Sequence, residues 1–407
     1  MVEALLALIL AGVALGEVPF FHFNRATLAL VGAVVVLVLG VIPLHTAYQA
    51  IDLNTLALLF AMMVFTAHLR LAGFFELAGQ TLARFAHSPR GFLGLVIVAG
   101  ALFSALFIND TVVLLFTPLV AQLTLALELD PLPYLMGLAV SANIGSMMTP
   151  IGNPQNILIA TSSGLGFKAF ASALFVPGVL SLGLAWLLLS WTYRQSLRRR
   201  PLVGTPLKRI RVHKALLLKS GLALAVMIGG FLLGWPLALA ALAGAALLLV
   251  TRRVKPVKIL AKIDGTLLLF FAALFIITRA VESTGGFQVL LAWSRPFLAG
   301  NWLLFSGVSA LLSNLISNVP AVMVLKPLIP TLVDPSKAWL ALAAASTLAG
   351  NLTLLGSVAN LIVAETARPY GIKLTFREYL KTGLPLAILS IALTAGWLTL
   401  PYFAQTP

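Results

Sequence analysis

Residues 149–156 read TPIGNPQN and interrupt the apolar runs SANIGSMM and ILIA with two prolines, a glycine and side-chain amides. Pro150 and Pro154 each remove a backbone donor and clash with the preceding turn, while Gly152 admits conformations that other residues resist. A helix is therefore predicted to end near Thr149 and restart near Pro154. In hydrocarbon such a break exposes N–H and C=O groups, each costing several kcal/mol unless something satisfies it. The restarting half aims free N–H groups and the positive end of its dipole at the gap, which suits an anion; the carbonyl end of the preceding half suits a cation. Thr149, Asn153 and Asn156 add neutral donors and acceptors. The same residues also fit a proline kink healed by neighbouring helices.

A second stretch, GNLTLLGSVAN at 350–360, carries Gly350, Asn351, Thr353, Gly356, Ser357 and Asn360 within an apolar run and has no proline. Its small polar residues suit either a second break or helix-packing contacts. Two further polar signatures, Asn109-Asp110-Thr111 and Ser317-Asn318-Val319, sit inside apolar hairpins. Asp110 stands deep in an apolar segment, where a charge near the bilayer centre costs roughly 2.5–3.5 kcal/mol. It could ligate sodium with Asn109 and carbonyls of the broken helix, load and release a proton, or cap the second arm at a wet interface. Lys326, two turns beyond the second tip, is the matching basic residue, suited to snorkelling, to pairing with a carboxylate or to attracting an anionic substrate. Asp52 and Asp264 open equivalent helices and are expected to cap them. Glu365, just before Arg368 and Pro369, reads as an interfacial charge. The five histidines are scattered and there is no cysteine, so no thiolate metal site, nucleophile elbow or two-histidine metal helix is available and an enzyme is not expected.

The elements that must position these residues are membrane helices. The chain of 407 residues is 60% hydrophobic and 10% charged, with a mean hydropathy of +1.04, against roughly 45–50% apolar residues in soluble domains. Apolar runs of spanning or near-spanning length recur at 26–42, 53–67, 171–191, 215–233 and 384–400. The first run, from Ala4, lacks the flanks of a secretory signal and is expected to be a retained span. The net charge of +15 falls in blocks between the spans, which points to membrane topology and away from nucleic acid. Residues 194–214 hold eight Lys/Arg and 252–262 hold five, so both loops are expected to face the cytoplasm from the inner, or plasma, membrane.

The chain also repeats itself. Ile51-Asp52-Leu53 is echoed by Ile263-Asp264-Gly265, FSALFINDTVVLLFTPL at 103–119 by LSNLISNVPAVMVLKPL at 312–328, and TPIGNPQNILIA at 149–160 by TLLGSVANLIVA at 353–364. The charge bias starts the halves on opposite sides, so the repeats are inverted, the arrangement of alternating-access transporters. The expected fold is an all-α polytopic membrane protein of about ten transmembrane helices, two re-entrant hairpins and two broken helices. Residues 1–200 form the first repeat, with hairpin 92–127 and broken helix 133–162; 201–214 form a basic cytoplasmic linker; 215–407 form the second repeat, with hairpin 302–333 and broken helix 338–366.

NDTVVLLFTP, SANIGSMMTPIGNPQN, SNVPAVMVLKP and AGNLTLLGSVANLIVAE together resemble the paired signatures of the ion transporter superfamily. They are most similar to its arsenical pump membrane protein (arsenite permease) and sodium/proton antiporter branch, related to the divalent anion:sodium symporters. The resemblance implies a homodimer working by an elevator mechanism, with sodium or a proton as coupling ion and no other cofactor. It places one ion-coupling region around Asn109, Asp110, Gly145, Thr149, Gly152 and Asn153, and a second around Ser317, Asn318, Asn351, Thr353, Gly356 and Ser357. Substrate is expected between the tips, at Asn109, Asn156, Asn318, Asn360 and Lys326. Relatives that carry dicarboxylates or citrate have Ser-Asn-Thr at both tips; Ile108-Asn109-Asp110 replaces the first here, an Asn-Asp tip similar to the arsenite-permease side, and Ser317-Asn318-Val319 keeps only two residues of the second. The expected function is secondary active transport of a small anion or oxyanion-like inorganic solute. Sodium-coupled di- or tricarboxylate transport, sodium/proton exchange and a passive anion channel are the alternatives.

Overall fold

A carboxylate opens the long scaffold helix of each half. Asp52 accepts from the backbone N–H groups of Asn54 and Thr55, and Asp264 from that of Leu267, the N-caps that their positions predict. The structure, a computed structural model, describes residues 2–15, 24–198, 212–250, 254–285 and 300–400. Most of the 201–214 linker, and the start of the 252–262 basic loop, lie outside these residues.

The described helices run in the order α1 (Val2–Leu15), α2 (Arg25–Val38), α3 (Leu44–Ala50), α4 (Leu53–Ala72), α5 (Phe74–Arg84), α6 (Pro89–Leu106), α7 (Asn109–Ala126), α8 (Leu132–Met147), α9 (Pro154–Ser163) and α10 (Phe167–Thr192) in the first half. The second half holds α11 (Lys214–Leu232), α12 (Leu237–Leu249), α13 (Pro256–Leu260), α14 (Gly265–Ser283), α15 (Trp302–Ile316), α16 (Asn318–Leu325), α17 (Pro335–Leu348), α18 (Val358–Ala367) and α19 (Phe376–Leu398). Seven of them, α4, α6, α7, α10, α11, α14 and α19, are long and apolar enough to cross a membrane; α2, α12 and α15 are shorter apolar helices.

By length alone the arms of the first hairpin, α6 and α7, would count as ordinary spans. Their register against the broken helix says otherwise. Gly137 packs on Leu93 and Ile97, Gly145 packs on Ala101, and the Tyr134 hydroxyl donates to the Pro89 carbonyl at 3.1 Å, so α6 and α8 run parallel from a common level. They also stop together, at Leu106 and Met147. Beyond that level α9 continues for 10 residues, about 15 Å of helix, while the hairpin turns back as α7. The second half repeats this with α15 beside α17: Ser313 Oγ donates to the Ser346 carbonyl and Asn314 Nδ2 to the Ala349 carbonyl, both at 3.0 Å. Its returning arm is short, because Pro327 and Pro330 turn residues Lys326–Thr331 into a 3₁₀ segment.

Two helix groups result. α2 packs on α14, and α4 on α11 and α12, forming a scaffold; the hairpins and broken helices pack on one another and on α10 and α19. α8 is buried from Pro133 to Met147 and α17 from Ala338 to Leu348, as expected for helices apolar all round. α5 links the groups, its Phe74 and Phe75 rings stacking edge-on against Phe103, Phe107 and Phe116 of the hairpin.

Candidate functional site

In the first break Pro154 opens α9 and Asn153 caps it, accepting the Asn156 backbone N–H at 2.8 Å. The Asn156 side chain donates to the Ser146 and Thr149 carbonyls at 3.0 and 3.2 Å, two of the acceptors that the end of α8 leaves free. The second break, lacking proline, is built of the 3₁₀ turns Ala349–Asn351 and Leu354–Gly356. Asn360 repeats the Asn156 contacts, donating to the Gly350 and Thr353 carbonyls at 2.6 and 3.2 Å. Both asparagines are fully buried, and their amide donors are engaged in holding the breaks open.

The two broken helices lie antiparallel, each reaching across the other's gap. Asn143 Nδ2 donates to Asn351 Oδ1 at 2.9 Å and Asn360 Oδ1 at 3.1 Å, and Asn143 Oδ1 accepts from Ser357 Oγ at 3.0 Å. Thr347 does the reciprocal work: its hydroxyl accepts from Asn153 Nδ2 at 3.1 Å and donates to Asn156 Oδ1 at 3.4 Å. Aligning Thr149 with Thr353 makes Asn143 and Thr347 equivalent positions, one turn before each break. Sequence reasoning missed both; two polar residues at matching places in apolar helices were the available signal.

The hairpin tips close on this cross. The Asn109 backbone N–H donates to the Gly152 carbonyl at 3.0 Å, Thr149 Oγ1 to the Ala105 carbonyl at 2.5 Å, and Asn109 Nδ2 to Asn143 Oδ1 at 3.3 Å. Ser104 Oγ and Asn109 Oδ1 are buried with no hydrogen-bond partner among the described residues. At the second tip the equivalent oxygens are engaged, Ser313 Oγ donating to Asn318 Oδ1 at 2.8 Å, while Thr353 Oγ1 donates to Asn314 Oδ1 at 3.3 Å. Ser317 sits at φ 76°, ψ 157°, a region favouring glycine, and accepts from the Arg25 guanidinium at 3.2 Å. Arg25, at the start of α2, thus belongs to this tip. Gly145 and Gly152 serve close approach: a Cβ on Gly152 would stand 2.6 Å from the Ser104 carbonyl oxygen.

Asp110 and Lys326 lie apart from the cross. Asp110 lines a cavity of about 140 Å³ between the first tip, α4 and the start of α14, with Arg70, Lys262 and Asp264. Lys326 lines another of about 230 Å³, with Arg279 and Glu282. The two cavities use equivalent scaffold surfaces. When Asp52 is aligned with Asp264, Met63, Thr66, Ala67 and Arg70 of the first correspond to Phe275, Thr278, Arg279 and Glu282 of the second. The hairpin residues opposite them do not correspond: Ile108, Asp110 and Thr111 are at the first tip, whereas Met323 and Lys326 lie beyond the second.

Residues 6–348 match the family model described as citrate transporter, CitMHS. The chain belongs to the citrate transporter family. Among relatives of this family member, the silicon efflux transporter LSI3 of Oryza sativa subsp. japonica is 32% identical, with 93% of each chain covered. The inner membrane protein YbiR of Escherichia coli is 33% identical over 81% of this chain and 84% of its own, and the putative transporter arsB of Dictyostelium discoideum 26% over 90% and 86%. The crystal structure of the Alcanivorax borkumensis YdaH transporter shares the fold, with a TM-score of 0.63 at 17% identity, covering 100% of this chain and 98% of that one. This citrate transporter family member is a multi-pass secondary transporter, not an enzyme.

Proposed function

We propose that the protein moves a small anion or oxyanion-like inorganic solute across the inner membrane, coupled to protons or sodium, as the unit of hairpins and broken helices slides against the scaffold of a homodimer. The observation that carries this reading is the mismatch between the two cavities. In a unit lying midway, equivalent scaffold surfaces would face equivalent hairpin residues. Aligning Asn109 with Asn318, the first cavity faces positions corresponding to 317–320, while the second faces 323–326. That offset of about six residues amounts to roughly 9 Å of helix, the signature of a unit displaced to one end of its travel. With residues 252–262 cytoplasmic, the side on which Lys262 and Arg70 lie, the displacement is inward. The anionic character of the solute is supported by the guanidinium at each tip, Arg25 beside Ser317 and Arg70 facing Asp110. The silicon efflux transporter among the relatives supports an inorganic solute, while the family's citrate description supports the tricarboxylate alternative.

Reconstituted protein tests this with arsenite, silicic acid and citrate offered under an imposed pH or sodium gradient. Wild type is expected to accumulate one of them against its gradient and to lose that accumulation with an ionophore. Asp110→Asn is expected to lose gradient-driven accumulation at least tenfold while keeping solute exchange, because the moving unit can no longer change its charge by binding and releasing the coupling cation. Ionophore-resistant flux in wild type would sink the secondary-transport reading in favour of a channel.

A further inference from the structure

The two cavities carry opposite charge patterns at equivalent places. In the first, the scaffold supplies Arg70, with Lys262 beside it, and the hairpin supplies Asp110; Asp264 is also present, its carboxylate capping α14. In the second, the scaffold position corresponding to Arg70 is Glu282, and the hairpin supplies Lys326. Arg279, the remaining charge there, is already paired with Glu282 at 3.1 Å. Neither Asp110 nor Lys326 makes an ion-pair contact with a described residue, so each faces its opposite charge across open space.

We propose that Arg70 and Lys262 facing Asp110, together with Glu282 facing Lys326, form a two-point charge latch that holds the sliding unit at this end of its travel. The proposal rests on the sliding motion inferred above. Shifting the unit by the offset between the halves would bring Leu114–Thr117 opposite Arg70 and residues 317–320 opposite Glu282, and neither segment contains a charged residue. Both attractions would vanish together, and nothing equivalent would replace them at the other end. The latch is therefore one-sided. A cation bound at Asp110, whether sodium or a proton, cancels the first attraction and so connects ion loading to release of the unit. Lys326 gains a role that needs no contact with solute, which fits its place away from the crossed breaks.

The chain has no cysteine, so spin labels can be placed without background. Full-length protein in nanodiscs, labelled at Leu53→Cys on the scaffold and Phe175→Cys on the moving unit, both well exposed, would report the two populations by pulsed electron resonance distances. Arg70→Gln and Lys326→Gln are each expected to lower the ratio of this state to the other about fivefold, while Arg70→Lys and Lys326→Arg preserve it. Asp110→Asn should shift the ratio as Arg70→Gln does, and combining the two should add little further. A ratio indifferent to Arg70→Gln and Lys326→Gln, or moved equally by the charge-preserving variants, overturns the latch. A single distance in every variant, with or without solute and ions, overturns the sliding reading beneath it.

Discussion

Replacing Asn143 by leucine is expected to destabilise the protein by about 3 kcal/mol or more and to abolish transport. Asn143 is 1% exposed and bonds to four side chains, those of Asn109, Asn351, Ser357 and Asn360. Leucine fills the volume but leaves Asn360 Oδ1, the Ser357 hydroxyl and the Asn109 amide without their partner, each a buried orphan costing about 1–3 kcal/mol. Because Asn143 joins one tip to the opposite break, the loss falls on both halves. Thermal unfolding in detergent, followed by size-exclusion chromatography, measures the first effect, and solute accumulation in proteoliposomes the second. Thr347→Val, which removes the reciprocal hydroxyl at nearly constant volume, should give the same phenotype with a smaller loss.

The second large effect is steric. Gly145→Ala would drive a methyl group into the backbone of Ala101, closer to its carbonyl oxygen and Cα than real Cβ atoms come. Neither backbone is a flexible side chain that could swing aside. α6 must then separate from α8, and with it the Asn109 tip from Gly152. The expected result is protein that fails to run as a monodisperse peak, or one destabilised by more than about 3 kcal/mol with no transport. Gly183→Ala, where nothing lies within 4 Å of the added carbon, should behave as wild type in the same assays.

These effects separate what local sequence reveals from what only apposition creates. Pro150, Gly152 and Pro154 act on their own backbone, so the first break is legible as residues: α8 ends at Met147 and α9 begins at Pro154. Asp52 and Asp264 are equally local. The second break was harder to read, because small residues and 3₁₀ turns do there what proline does in the first. Asn156 and Asn360 look like ligands in sequence, since nothing in a string shows that their amides fold back on carbonyls seven to ten residues earlier. Asn143 and Thr347 owe their positions to the antiparallel crossing of segments about 200 residues apart. Arg25, Arg70 and Lys262 carry the positive charge that reads as topology, and only the docking of hairpins on scaffold turns them towards the tips. Asp110 stands out in sequence as a charge deep in an apolar segment; the cations it faces, Arg70 on α4 and Lys262 just before α14, are brought to it only by the fold.

The central claim is that the hairpin unit slides against the scaffold, and paired cysteines in this cysteine-free chain test it most directly. Thr278 Oγ1 lies 3.4 Å from Met323 Sδ, so Thr278→Cys with Met323→Cys should be bridged by mercuric ion in the present state and arrest transport until excess free thiol takes up the mercury. The shift exchanges the roles of the halves, and Val319 then takes the place opposite Thr278 that Asp110 holds opposite Thr66 in this state. Thr278→Cys with Val319→Cys should therefore be bridged during turnover, again arresting transport. Bridging of the first pair without arrest, or no bridging of the second under any gradient that drives solute, would contradict the account.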